Sequence, residues 1–204
     1  MALVLNEEQR LLQDTARDFF ASHAPVAALR QLRDTHDPVG YDPRLWQQMA
    51  EMGWASIILP ETYGGLDFGF LGLGVVLEES GRTLPASPLF ASAVVGASAV
   101  LLGGSEALKQ SLLPDIAGGK MTLALALEET HHHNPTYIST TANIQGENFI
   151  LSGSKCFVLD GHSADKLIVV ARTGGTERSS AGLTLLLVDR NASGVNCRRT
   201  FMAD

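Results

Sequence analysis

The spacing of apolar residues changes period once along this chain, and that change limits the fold more than any single motif. As far as Gly118-Gly119 the apolar positions recur at helical spacing between helix-capping signals; beyond it they alternate or gather in short β-branched runs. Asn6 stands three residues before Gln9 in a capping-box pattern. Leu12, Ala16, Phe19 and Phe20 then share one face, which predicts an amphipathic helix ending near Pro25. Asp42-Pro43 opens a second helix, carried by Leu45, Trp46, Met49 and Met52 and closed by Gly53. Further helices are expected over residues 71–82, over 91–102, and from Ser105 to just before Pro114. In the second half, Leu123, Leu125 and Leu127 alternate with Ala124 and Ala126, residues 139–145 are strand-like, and Gly146-Glu147-Asn148 turns into a strand over 149–159. Two more apolar runs, 167–171 and 183–188, complete the set. Helices followed by strands, rather than alternating with them, predict an α+β chain: an N-terminal all-α helical domain over 1–118, then a small antiparallel β-barrel or sandwich over 119–204. Residues 200–204 carry no capping signal, which would leave the last strand short of a neighbour on one edge.

Composition removes several classes of function. The chain has 15 Lys plus Arg against 22 Asp plus Glu, a formal net charge of −7, which speaks against a nucleic-acid partner. Its 2 cysteines, Cys156 and Cys197, lack metal or redox spacing, so a reducing, cytoplasmic setting is expected. The N-terminus shows neither a secretory signal nor a presequence, and the most apolar stretch, 84–104, is broken by Pro85, Pro88, Gly96, Gly103 and Gly104, so no membrane span is predicted. Consecutive side chains rarely converge on one ion, so His131-His132-His133 reads as an exposed loop, and no metal site is expected. Glu78-Glu79 reads as a solvated face or an ion pair with Arg82, because adjacent helical residues do not face each other. Trp46 and Trp54 read as core anchors.

Three segments carry a resemblance. They are Gly53-Trp54 through Leu59-Pro60-Glu61-Thr62-Tyr63-Gly64-Gly65-Leu66; Leu101-Leu102-Gly103-Gly104-Ser105 through Leu112-Leu113-Pro114-Asp115-Ile116-Ala117-Gly118-Gly119; and Leu151-Ser152-Gly153-Ser154-Lys155-Cys156-Phe157-Val158 with Gly161, Ala164 and Asp165. In this order they resemble the acyl-CoA dehydrogenase family. The resemblance implies an α-domain, a β-domain and a C-terminal helical bundle that would follow Asp204. It also implies α,β-dehydrogenation of an acyl-CoA thioester, with FAD as hydride acceptor and a carboxylate base that no residue of this chain matches. The family's habits further imply a homo- or hetero-oligomer with acyl-CoA dehydrogenase subunits. Residues 71–77 would line the acyl pocket or else form core, with Gly72 and Gly74 each costing the helix roughly 1 kcal/mol against Ala.

By the same resemblance the flavin would lie against Ala124, Leu125, Ala126 and Leu127 and against Phe157, Val158 and Leu159. His133 would stand on the thioester and CoA side. The chain departs from the family pattern here: its Thr-Glu-Pro becomes Leu127-Glu128-Glu129, and an Ile-Thr-Asn-Gly becomes Val158-Leu159-Asp160-Gly161. Each lost hydroxyl removes about 0.5–1.5 kcal/mol of net interaction. Two readings remain open. FAD is held through backbone amides and aromatic packing, with Phe157 against the ring, or the chain is a flavin-deficient subunit that supports a catalytic partner.

Overall fold

A computed structural model describes residues 4–146 and 148–200. Two compact units are present, the first reaching Met121 and the second running from Thr122 to the end of the described residues. Helix α1 is Glu7–His23, and its start is fixed reciprocally: the Asn6 side chain accepts from the Gln9 amide while the Gln9 side chain accepts from the Asn6 amide. It buries Ala16 and Phe20, and Phe19 and Phe20 both meet the ring of Trp54, at 5.0 and 5.1 Å. Helix α2, Val26–Asp34, has no counterpart in the sequence reading. Pro25, read there as a stop, is also its N-cap, and Val26, Leu29 and Leu32 form only a half-buried stripe. Helix α3, Pro43–Glu51, starts at the Asp42 cap and buries Leu45, Trp46, Met49 and Ala50. The Trp46 indole donates to the Gly119 carbonyl at 3.0 Å.

The link to the next helix needs glycine at Gly65. A Cβ there would lie 1.9 Å from the Leu59 carbonyl oxygen. Helix α4, Gly69–Ser80, buries Leu73, Val75, Val76 and Glu79. Gly72 and Gly74 have separate explanations: a Cβ on Gly72 would strike Phe68 at 2.1 Å, whereas one on Gly74 meets nothing within 4 Å. Glu79 is not solvated. Its fully buried carboxylate accepts from Arg82 and also from Arg17 on α1, while Glu78 is exposed. The helix expected over 91–102 begins earlier and in two forms, a π-helical segment Leu89–Gly96 and then α5, Ala97–Gly103. Helix α6, Glu106–Ala117, opens on the Ser105 cap and continues through Pro114 instead of stopping before it. Pro114 removes one helical donor, but the carbonyl it abandons, that of Gln110, lies on an exposed residue where water can replace the bond.

The second unit is one five-stranded sheet ordered β1-β4-β2-β3, with β5 also paired to β4. The strands are β1 Leu123–Ala126, β2 Thr141–Gln145, β3 Asn148–Ser152, β4 Lys166–Arg172 and β5 Leu183–Asp189. A helical unit followed by a sheet unit matches the expectation, but the sheet is mixed rather than wholly antiparallel. β1 runs parallel to β4, since the β2–β3 hairpin and the loop after it carry the chain back to the start of β1 before β4 begins. No pairing among the described strands closes a barrel. The turn expected at Gly146-Glu147-Asn148 joins β2 to β3, with Glu147 outside the described residues. The strand expected over 149–159 ends at Ser152 because Gly153 passes against β2: a Cβ there would sit 2.3 Å from the Thr140 hydroxyl and 2.7 Å from its Cα. Among the described strands β5 pairs only with β4, and residues 201–204 lie outside the described residues.

Candidate functional site

β1 enters the sheet through a polar clasp. The Asp165 carboxylate accepts from the Thr122 amide and hydroxyl at 2.8 and 2.9 Å, and the Thr122 carbonyl accepts from the Lys166 amide at 3.2 Å. With Thr122 bonded toward β4, the alternation of a parallel pair directs the amides of Ala124 and Ala126 toward β4 as well, and that of Leu125 toward the opposite edge. No described strand covers that edge.

The segment after β3 comes to the end of β1 and joins the two predicted cofactor-facing stretches. The Cys156 amide donates to the Glu128 carbonyl at 2.8 Å, and Val158 packs against the small core of Ala124, Ala164 and Leu167. Phe157 and Leu159, in contrast, point outward, 65% and 56% exposed. Phe157 and Asp160 hold positive φ, 51° and 54°, in a tight turn whose Gly161 leaves room for Val158. Burial pushes the Asp160 carboxyl up from its ordinary value. The run 155–158 thus adjoins β1 and the residues just after it, through Lys155 on the Leu127 carbonyl, Cys156 on the Glu128 carbonyl and Val158 on Ala124, while Phe157 and Leu159 lie at the surface.

His133 is placed differently from its two neighbours. Its Nδ1 lies 2.6 Å from Glu128 Oε1, while Glu128 Oε2 accepts from the Asn134 amide at 3.2 Å, so the carboxylate pins the exposed loop. His131 turns the other way and meets the Phe157 ring edge-on at 5.9 Å. Among the described residues there is no group of three or more His, Cys, Asp or Glu able to hold a metal.

Two charged residues that the sequence reading passed over organise this region. Glu129 and Lys155, 4% and 8% exposed in their side chains, are 2.7 Å apart. Glu129 also accepts from the Ser139 amide and hydroxyl and the Thr140 amide, and Lys155 also donates to the Leu127 carbonyl at 3.1 Å. Burial pushes the Glu129 carboxyl upward, but the bonds from Lys155, Ser139 and Thr140 outweigh it and hold it at about 2. Lys155 is lowered by burial, against the pull of Glu129. Arg172, 7% exposed at the end of β4, spends its guanidinium on the carbonyls of Thr136, Ile138, Gly174, Glu177, Ser179 and Ala181. The available signal was a charge closing an apolar run, at Arg172, and an acidic residue at the family's proline position, at Glu129.

A capped helical unit leads into a small mixed sheet whose first strand leaves one edge open among the described strands. This chain belongs to the acyl-CoA dehydrogenase family: the family's N-terminal domain matches residues 6–120 and its middle domain residues 124–203. It is 31% identical, over 94% of its length, to cyclohex-1-ene-1-carbonyl-CoA dehydrogenase of Geobacter metallireducens, of which it covers 50%. Among solved structures, a variant of the Tcur3481-Tcur3483 steroid ACAD matches with a TM-score of 0.79 and 34% identity over 92% of this chain and 49% of that one. The ChsE4-ChsE5 complex of Mycobacterium tuberculosis matches with a TM-score of 0.80 and 26% identity over 95% and 50%. The chain spans about half the length of the curated relatives it matches. No helix among the described residues is long and apolar enough to cross a membrane.

Proposed function

We propose that this chain is the flavin-holding half of an acyl-CoA dehydrogenase, with the catalytic base supplied by residues outside it. The observation that carries the reading is the surface made by Phe157 and Leu159: two exposed apolar side chains on either side of Val158, which packs against Ala124 of β1. The donor set suits a flavin ring. By the alternation of β1 the Leu125 amide faces the open edge, where a ring carbonyl or nitrogen can accept, while Ala124 and Ala126 keep the strand fixed to β4 and Val158 keeps the second segment against the core. Phe157 and Leu159 would cover apolar ring surface and exclude water from it. FAD, when bound, supplies the hydride acceptor for oxidation of the acyl α,β bond. His133, held by Glu128 on the exposed loop, is the side chain this region offers to the thioester and CoA end. The exposed face of α4, with Phe70 and Leu71 exposed and open space at Gly74, suits the acyl chain. A cytoplasmic oligomer with other acyl-CoA dehydrogenase subunits completes the reading.

A second reading, a flavin-deficient subunit supporting a catalytic partner, is favoured by Leu127 and Leu159, which offer no side-chain donor, and by the two-component names of the similar structures. Titration with FAD separates the two. The first reading predicts one FAD per chain and a gain of about three- to tenfold in affinity for Leu127→Thr, from one restored hydrogen bond. Absence of binding, in the chain as it stands and in the Leu127→Thr/Leu159→Thr double variant, assigns it to the second.

A further inference from the structure

The Glu129–Lys155 pair lies between the two cofactor-facing segments, and nothing in the function above uses it. Its geometry is specific. The ammonium bridges the Glu129 carboxylate and the carbonyl of Leu127, two to four residues before Phe157, Val158 and Leu159 along its own segment. The carboxylate is saturated by Lys155, by the Ser139 amide and hydroxyl, and by the Thr140 amide at the entry to β2. Three stretches of chain therefore meet at one buried ion pair: the end of β1, the start of β2 and the run after β3. An ion pair this buried is weak evidence for stability as such, since desolvation offsets most of the attraction, whereas it fixes relative position strongly. It also occupies the Leu127 carbonyl, immediately past the last residue of β1. That carbonyl would otherwise present negative charge to anything seated there.

We propose that Glu129 and Lys155 are positioning residues of the cofactor face: Lys155 takes the Leu127 carbonyl and sets the β1 edge for a flavin, and Glu129 balances its charge. The assignment rests on the flavin reading above and names residues that reading leaves idle. A purely structural clasp and an electrostatic positioning pair differ in one respect. Charges beside a redox cofactor change its preference for the reduced over the oxidised form, and the change follows the sign of the charge.

The test uses the FAD-loaded protein with its natural partners and reads the two-electron flavin potential and FAD affinity for Glu129→Gln, Lys155→Met and the double variant. Glu129→Gln leaves an unbalanced cation, and the potential should rise. Lys155→Met leaves an unbalanced anion and a bare Leu127 carbonyl, so the potential should fall and FAD affinity drop at least tenfold. A tenfold change in relative affinity for reduced and oxidised flavin corresponds to about 30 mV for a two-electron couple. The double variant should return toward the parent potential. Lys155→Arg, which keeps the charge, covers the case in which a single variant does not fold. Shifts of the same sign in both single variants, or no shift in a protein that does bind FAD, would overturn the positioning role alone. A parent protein that takes up no FAD would overturn the flavin reading and this role with it.

Discussion

Removing one side of the Glu79 cluster should cost more when it strands the carboxylate than when it removes it. Glu79 has no exposed side-chain surface and accepts from Arg17 Nε and Nη2 at 3.2 and 2.9 Å and from Arg82 Nε at 2.7 Å. The arginine side chains are 45% and 59% exposed, so either can return to water when released. Glu79→Gln keeps shape and part of the hydrogen bonding. Hydrogen bonds to a charged group contribute about 1.5–3 kcal/mol, and rehydration of two half-exposed arginines recovers part of that, so the loss should be about 1–2 kcal/mol. Arg17→Met leaves a fully buried carboxylate with Arg82 alone; orphaning a buried charge costs about 3–5 kcal/mol, and the surviving partner reduces this to about 2–3 kcal/mol. Urea unfolding followed by tryptophan fluorescence reads this unit directly, because both tryptophans, Trp46 and Trp54, belong to it. The pH dependence follows from Glu79 lying below its ordinary 4.5, held there by the hydrogen bond from Arg17 against burial, with help from Arg82. A lowered carboxyl stabilises above the unfolded value and loses that contribution as pH falls through the folded one, so Glu79→Gln should flatten the acid limb. Arg17→Met costing less than Glu79→Gln would refute the reasoning.

Three further outcomes follow from individual contacts. Gly65→Ala places a Cβ 1.9 Å from the Leu59 carbonyl oxygen, so it should lower the thermal midpoint of the helical unit sharply, whereas Gly74→Ala, with open space around it, should raise helix stability by roughly 1 kcal/mol; differential scanning calorimetry compares them. Arg172→Met removes a guanidinium that donates to six carbonyls, of which that of Glu177 keeps the Ile138 amide, and should increase hydrogen exchange in residues 136–138 and 174–182, with Arg172→Lys only partly restoring protection. Glu129, held at about 2 against an ordinary 4.5, stabilises the sheet unit above pH 4.5 and loses that contribution toward pH 2; near- and far-ultraviolet dichroism should show Glu129→Gln without that acid transition.

The sequence made the capped helices and the period change plain because their causes are local. Asn6 with Gln9, and Asp42 with Pro43, act within four residues, and the apolar runs of β1, β4 and β5 exceed what turn residues can interrupt. What it hid depends on distant partners. Pro25 both stops α1 and starts α2, and composition cannot say which role wins. The strand expected to continue past Ser152 ends because Gly153 meets Thr140, a tertiary contact. The parallel register of β1 on β4 needs the whole intervening hairpin and loop to be placed first. At the candidate site, Ala124 through Leu127 and Phe157 through Leu159 are proposed through family resemblance, not periodicity. The Glu129–Lys155 pair was not, because nothing in a sequence marks which Lys will be buried beside which Glu.

The central claim, that this chain holds a flavin, is tested most directly by its visible absorption spectrum when purified with natural partners attached, with intact masses taken on the same sample. Flavin bands near ~450 nm at one equivalent per chain, weakened or lost when Phe157 is changed to Ala, are the predicted result. A spectrum without those bands, unchanged by added FAD, would contradict it, and a second, larger chain in the mass spectrum would place the redox chemistry there.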